Sequence, residues 1–275
     1  MAHVGDQDLV RAIETSMFDL TLPGEVDPTP FPGLTGRESG MVSHDFANRV
    51  GLARLDARGA NAAIAAVRDH FGRRGLEFGW AVGPSSTPDD LRERLERAGL
   101  RRRVQLVGMA LETVQAREPD VRGIHVRESK ADEHATIARL IARTFEWPAD
   151  VCEVFARAYE RSRAAGRLQA YLAEVAGEPI AFAYLAPTEH PRVALLGGAG
   201  TLTAHRGRGV YAALLERRIA DAAALGYAVA ITQAIRETSA PLARKRGFRE
   251  LCAIDVYRWQ PPRAPARTSA TIGRR

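Results

Sequence analysis

The segment His205-Arg206-Gly207-Arg208-Gly209-Val210-Tyr211 combines the residue types that bind linked phosphoryl groups. Two glycines one residue apart let an anion approach the backbone closely, and two arginines add positive charge within the same turn. Downstream, Val210, Leu214, Leu215, Ile219, Ala222 and Ala223 recur at helical spacing, with Glu216, Arg217 and Asp221 between them. Upstream, residues 193–203 read as an extended strand loosened by Gly197, Gly198 and Gly200. A strand, a Gly-x-Gly turn and a helix N-terminus, in that order, form an anion cradle. The first-turn N–H groups have no intrahelical acceptor, and the helix dipole is positive at that end.

Around this cradle the second half of the chain reads as strand 124–127, helix 131–145, a break at Trp147-Pro148 and helix 150–165. Strands follow at 170–175 and 180–185, joined by a Gly177-Glu178 turn. After the cradle helix, 228–232 is a buried-type strand. Thr238-Ser239-Ala240-Pro241 opens a short helix with a hydroxyl N-cap and proline in the first turn. Gly247 ends that helix, and 248–259 alternates as final strands. The Pro- and Arg-rich segment 261–275 is expected to be disordered.

The first half echoes this order. Gly99-Leu100-Arg101 matches Gly247-Phe248-Arg249, and Ser86-Thr87-Pro88 matches Ser239-Ala240-Pro241. Asp56-Ala57-Arg58-Gly59 precedes an apolar helix at 60–71, as Ala204-His205-Arg206-Gly207 precedes the cradle helix. The second glycine is missing there. Three landmarks recurring in order indicate a duplicated architecture, whose first copy (1–118) has lost the diphosphate turn and whose second (119–260) keeps it. Trp80-Ala81-Val82 reads as core strand.

Composition narrows the function classes. The 275 residues carry a formal charge of +6, almost wholly from arginine, since Lys130 and Lys245 are the only lysines. The arginines alternate with acids, as in Arg92-Glu93-Arg94-Leu95-Glu96-Arg97, which is the pattern of a solvated helix face and not of a nucleic-acid footprint. A single Arg-Gly-Arg-Gly turn is also too short and too poor in aromatics for an RNA-binding repeat. No run approaches the roughly 18 apolar residues of a membrane span, and the N-terminus lacks a basic region followed by an apolar core. Cys152 and Cys252 are too few and too far apart for a disulfide framework or a metal site. The expectation is a cytoplasmic protein that binds neither nucleic acid nor membrane and holds no metal.

The stretch 124–259 resembles the GNAT superfamily of N-acetyltransferases, whose phosphate motif Arg/Gln-x-x-Gly-x-Gly/Ala stands here as Arg206-Gly207-Arg208-Gly209-Val210-Tyr211. Tyrosine replaces the small residue at the last position. The Lys245-Arg246-Gly247-Phe248 helix ending follows at the family's usual distance, and the whole chain is similar to a tandem GNAT protein with a degenerate N-terminal copy. The resemblance implies an α/β fold of the α+β type: two GNAT-like domains, each a mixed, mostly antiparallel sheet flanked by helices. It also implies acetyl-CoA as co-substrate and an amine as acceptor. In that family the fourth and fifth strands splay apart and pantetheine bonds to the fourth strand much as an added strand would. On this mapping Ala199, Gly200 and Thr201 supply the unpaired backbone, with Gly197-Gly198 permitting a bulge. The diphosphate falls on Arg206, Gly207, Arg208, Gly209, Val210 and Tyr211, and Ser239 completes the cofactor-binding set. Trp147 and Pro148 occupy the segment that shapes the acceptor site in the family.

The resemblance stops short of a catalytic assignment. Residues 193–203 contain none of the acidic residues that many members use as base, and Ala243 stands where many carry a tyrosine acid. Glu174, Glu189, His190, His205 and Tyr257 qualify by chemistry alone. A strand N–H near Thr201 is the expected oxyanion donor. An ammonium of pKa about 10.4 must still lose its proton, to water, to the substrate itself or to a group not identified from sequence. The leading reading is an acyl-CoA-dependent N-acetyltransferase; the alternative is a non-catalytic acyl-CoA-binding sensor or interaction module.

Overall fold

The computed structural model describes residues 4–19, 23–115 and 123–262, so the tail at 263–275 and the junction at 116–122 lie outside the described residues. In chain order the elements are α1 (Asp6–Thr15), β1 (Asp27–Pro28), β2 (Thr35–Glu38), β3 (Arg49–Gly51), α2 (Ala60–Arg73), β4 (Phe78–Val82), α3 (Leu91–Arg97) and β5 (Arg101–Glu112). The second half supplies β6 (His125–Glu128), α4 (His134–Phe145), α5 (Ala149–Ala164), β7 (Gln169–Val175), β8 (Glu178–Pro187) and β9 (Val193–Thr201). It ends with α6 (Val210–Ala224), β10 (Val229–Ile235), α7 (Ser239–Arg244) and β11 (Arg249–Trp259). The α/β class expected from sequence is observed, with helices flanking a mixed sheet.

The two expected sheets are one. Eleven strands run in the order β1-β2-β3-β4-β11-β5-β10-β9-β8-β7-β6. Each half has one parallel pair, β3 with β4 and β9 with β10. Between β4 and β10 lie two long antiparallel strands, and each sits beside the other half's parallel pair: β11 on β4, β5 on β10. The halves have therefore exchanged their last strands. Separating them would expose two long unpaired edges. The final alternating stretch is accordingly one eleven-residue strand, β11, bent by register shifts at Glu250/Cys252 and Val256/Tyr257, in place of the several strands read from its pattern.

The two helix ends that launch β5 and β11 share one geometry. Gly99 (φ +86°) donates its N–H to Glu96 O and Leu100 N–H reaches Leu95 O. Gly247 (φ +94°) donates to Arg244 O and Phe248 N–H reaches Ala243 O. Both are Schellman endings with a buried apolar residue after the glycine, Leu100 and Phe248. The hydroxyl cap expected at the start of α7 is not made. Thr238 is the N-cap residue without a side-chain bond, and Ser239 Oγ instead accepts Ile235 N–H at 2.8 Å, holding the end of β10.

Three apolar clusters fill the layers. α1 lies across the centre of the sheet, burying Leu9, Ala12 and Ile13 against Val193, Leu195, Ile231, Ile254 and Val256. α2 and α3 cover the first half's strands through Phe71, Leu91 and Leu95 on Phe78, Trp80 and Trp259. Trp80 is fully buried, as its core-strand reading requires. α4, α5 and α6 enclose the largest cluster against the second half's strands.

Candidate active site

The turn before α6 has the geometry of an anion cradle. Gly207 (φ +75°) and Gly209 (φ +84°) are both left-handed, and a Cβ on Gly207 would meet nothing within 4 Å. Gly209 is the N-cap residue of the fifteen-residue α6 and no side chain caps it. The first bond into the helix is Ala213 N–H to Gly209 O, so the amides of Gly207, Arg208, Gly209, Val210, Tyr211 and Ala212 have no acceptor among the described residues. Arg206 enters differently from the expectation. Its N–H is spent on Thr203 O, while its guanidinium holds Thr201 O (3.1 Å) and Thr144 O (3.3 Å), pinning the turn to the ends of β9 and α4. Arg208 is exposed and has no partner among the described residues.

β9 and β10 pair only at Val193, Ala194 and Leu195. Beyond Leu195 the strands diverge toward the cradle, leaving the β10-facing backbone of Leu196 through Thr201 without a strand partner. Thr232 Oγ1 reaches Leu196 O (2.9 Å) at the fork. On its other edge β9 follows β8 with a register shift between Phe182 and Tyr184, opposite Gly198 and Ala199. Gly198 is left-handed (φ +61°), and the Tyr184 ring occupies the space that a Cβ on Gly197 or Gly198 would need. Only glycine fits there. Arg218 of α6, fully buried, fixes the fork by donating to Leu214 O, Tyr184 O and Gly197 O.

Against this fork lies a cavity of about 370 Å³ bounded by both halves. Gly197, Gly198, Ala199, Tyr211 and Ser239 line it on the second-half side, and Trp147 lies in its wall. The first half contributes Ser16, Met17, Arg37, Phe46 and Arg49. Four arginines line the cavity (Arg37, Arg49, Arg103 and Arg218), and no Asp or Glu does among the described residues. Tyr159 and Tyr184 also face it, with ring centroids 5.2 Å apart. Neither phenol bonds to another described residue, and burial raises both pKa values above the ordinary tyrosine range, so both stay protonated.

The acid–base candidates read from sequence lie elsewhere. Glu174 sits on β7 in an ion pair with Arg127 (2.6 Å). Glu189 pairs with Arg11 in the open, and His190 Nδ1 accepts Arg192 N–H within its own turn. Tyr257 is buried in β11 with its hydroxyl on Glu96. His205 lies in the short 3-10 turn before the cradle, its Nδ1 buried without a bond. Thus none of the five lines the cavity, whereas Tyr159, Tyr184, Arg37 and Arg49 do. These four carry no sequence motif.

The first half's counterpart turn is filled from within. Asp56 Oδ1 accepts the N–H groups of Arg58 (2.8 Å) and Gly59 (2.7 Å) just before α2. Those bonds lower the Asp56 pKa below the usual carboxylate range, and the amides of this turn are taken by the chain's own carboxylate. His44, Asp45 and Glu77 bring three donor atoms within 4.8 Å. The two carboxylates there are held by Arg103 and Arg258, so the cluster is satisfied as an ionic network.

Residues 134–248 match the model of the acetyltransferase (GNAT) family. The whole chain is similar in fold to a GCN5-related N-acetyltransferase from Kribbella flavida (TM-score 0.67, 16% identity, 96% of this chain and 98% of that one). A second such protein, from Sphaerobacter thermophilus, superposes with TM-score 0.61 at 15% identity over 83% of this chain and 76% of its own. A tandem GNAT protein from the clavulanic acid biosynthesis pathway follows at TM-score 0.55, 12% identity, 92% and 89% coverage. No curated protein sequence matches the chain.

Proposed function

We propose that this chain, whose residues 134–248 match the model of the acetyltransferase (GNAT) family, moves an acetyl group from acetyl-CoA to an amine. One observation carries the reading: six consecutive free amides at the N-terminus of α6 border a strand fork that opens toward them. The residues fit the cofactor. Gly207 to Ala212 would hold the diphosphate, with Arg208 adding charge, and the β10-facing backbone of Ala199, Gly200 and Thr201, apart from the Thr201 carbonyl that Arg206 holds, would take pantetheine as an extra strand. When bound, acetyl-CoA supplies an acetyl carbon to which the amine nitrogen bonds as the C–S bond breaks, one proton leaving nitrogen and one ending on sulfur.

The chain's own groups serve the remaining tasks. Burial in a shared cavity orients the amine, and orientation alone is worth several kcal/mol. The guanidinium groups around the cavity, of which Arg103 is neutralised by Asp45, make an ammonium costly there, so the acceptor nitrogen sheds its proton more readily than in water. Tyr159 and Tyr184, kept protonated by burial on the cavity wall, would serve as proton donors to a departing thiolate. Calorimetry with acetyl-CoA at low salt tests the reading. Micromolar binding lost in Gly209→Glu is expected; binding no tighter than millimolar in the wild type rejects it.

The lack of any carboxylate in the cavity wall favours a second reading, a non-catalytic acyl-CoA sensor. Release of free thiol across an amine panel, abolished by Gly209→Glu, decides for the enzyme. Binding without turnover decides for the sensor.

A further inference from the structure

The first-half wall of the cavity holds an arrangement that the fold alone does not explain. Arg37 of β2 and Arg49 of β3 are direct cross-strand partners, on the same face of the sheet. Like charges directly opposed in a sheet are destabilising, and both of these are buried, at 1% and 6% exposure. The ring of Phe46 lies against both guanidinium groups, 4.7 Å from Arg37 Cζ and 4.8 Å from Arg49 Cζ. Arg37 is tied to Phe46 O through Nε and Nη2. Arg49 has no hydrogen bond or ion pair among the described residues, and its Nε is fully buried. Burial lowers its pKa; the charge of nearby Asp45 opposes that, and Arg103 adds to it.

A neutralising carboxylate lies close by but is committed. Asp45, fully buried, gives both oxygens to Arg103 at 2.8 and 2.7 Å. Glu77 is engaged by Arg258 and Gln260. An isolated buried cation costs several kcal/mol unless something pairs with it, and such groups in native structures call for a partner. The open side of Arg49 is the cavity. A guanidinium fork fits a planar, two-oxygen anion, and stacking on Phe46 leaves its N–H edge available for one. The walls beside it, Phe46, Phe145 and Trp147, are aromatic and suit the apolar part of a small ligand whose charged end meets Arg49.

Resting on the acetyl-transfer reading above, we infer that the acceptor is an amine that carries a carboxylate, of amino-acid size, and that Arg49 binds this carboxylate. The size follows from a cavity that must also admit the acetyl end of the cofactor. The substrate's carboxylate neutralises Arg49, while its amine faces the remaining positive groups.

The test uses calorimetry on the full chain saturated with CoA, titrated with N-acetylated amino acids and with their neutral C-terminal amides. At least one acid is expected to bind about tenfold or more tightly than its own amide. Arg49→Met should bring that ratio close to one, and Arg49→Lys should restore part of it. Acid and amide binding alike throughout the series, or a preference that survives Arg49→Met, overturns the inference. Acetyl-CoA is titrated into the same proteins. Normal acetyl-CoA binding with no acid preference sinks this inference alone, whereas no acetyl-CoA binding in the wild type sinks the transfer reading as well. Heating the ligand-free proteins gives an independent readout. A ligand-awaiting Arg49 predicts that Arg49→Met keeps or raises Tm, because it removes an unpaired buried charge. A fall of several degrees would assign Arg49 a structural role and count against the inference.

Discussion

Replacing Gly198 with alanine should be far more damaging than the same change at Gly207, although both are left-handed glycines beside the cradle. At Gly207 a Cβ enters open space, so the cost is the left-handed conformation alone, about 1–2 kcal/mol. At Gly198 the new Cβ would lie 2.5 Å from Tyr184 Cε1 and 2.6 Å from Cδ1. The ring cannot retreat freely, because it packs on Tyr159 and its own carbonyl is held by Arg218. Overpacking of this kind adds about 1–3 kcal/mol, for a total of about 2–5 kcal/mol. With a urea m-value of about 3 kcal/mol per molar, a loss of about 3 kcal/mol moves the midpoint by about 1 M. Urea titrations of both variants at unchanged m supply the comparison. Tyr184→Leu in the Gly198→Ala background isolates the clash: the double variant should be less destabilised than the sum of the singles by about 1–3 kcal/mol. Equal midpoints for Gly198→Ala and Gly207→Ala, or strict additivity in the cycle, would refute the claim that Tyr184 is what restricts position 198 to glycine.

Acetyl-CoA should bind with a stoichiometry of one per chain, since Asp56 already takes the amides of Arg58 and Gly59 in the first half's turn; calorimetric values near two would contradict this. Arg218→Met should lower both Tm and acetyl-CoA affinity, because it strips the buried carbonyls of Tyr184 and Gly197 of their donor at about 1–3 kcal/mol each, the opposite of the result expected for Arg49→Met. Glu133 is held down to about 2, chiefly by its hydrogen bonds from Arg127. A depressed carboxylate contributes stability that is full above its unfolded pKa of about 4.3 and is lost as pH falls from there to about 2. Denaturation midpoints measured across that window should fall less steeply in Glu133→Gln than in the wild type.

What the sequence determined by itself was local. The cradle was legible because strand, glycines and helix follow one another within about twenty residues, and each signals through its own backbone preference. The glycines at 99 and 247 marked helix ends for the same reason. The cap assigned to the start of α7 failed because Ser239 had a competing acceptor role at the end of β10, four residues back in the chain. The tertiary structure alone decided the partners. Alternation along β5 and β11 says that each is a strand but not that the halves exchange them, since pairing depends on segments more than a hundred residues apart. It also decided which arginines matter. Arg37 and Arg49 look like the other arginines in a chain rich in them, and only the register that sets them face to face, sealed from water around Phe46, turns two ordinary charges into a site. Side-chain chemistry is written in the sequence, but the dielectric and neighbours that give a charge its function are set by long-range packing.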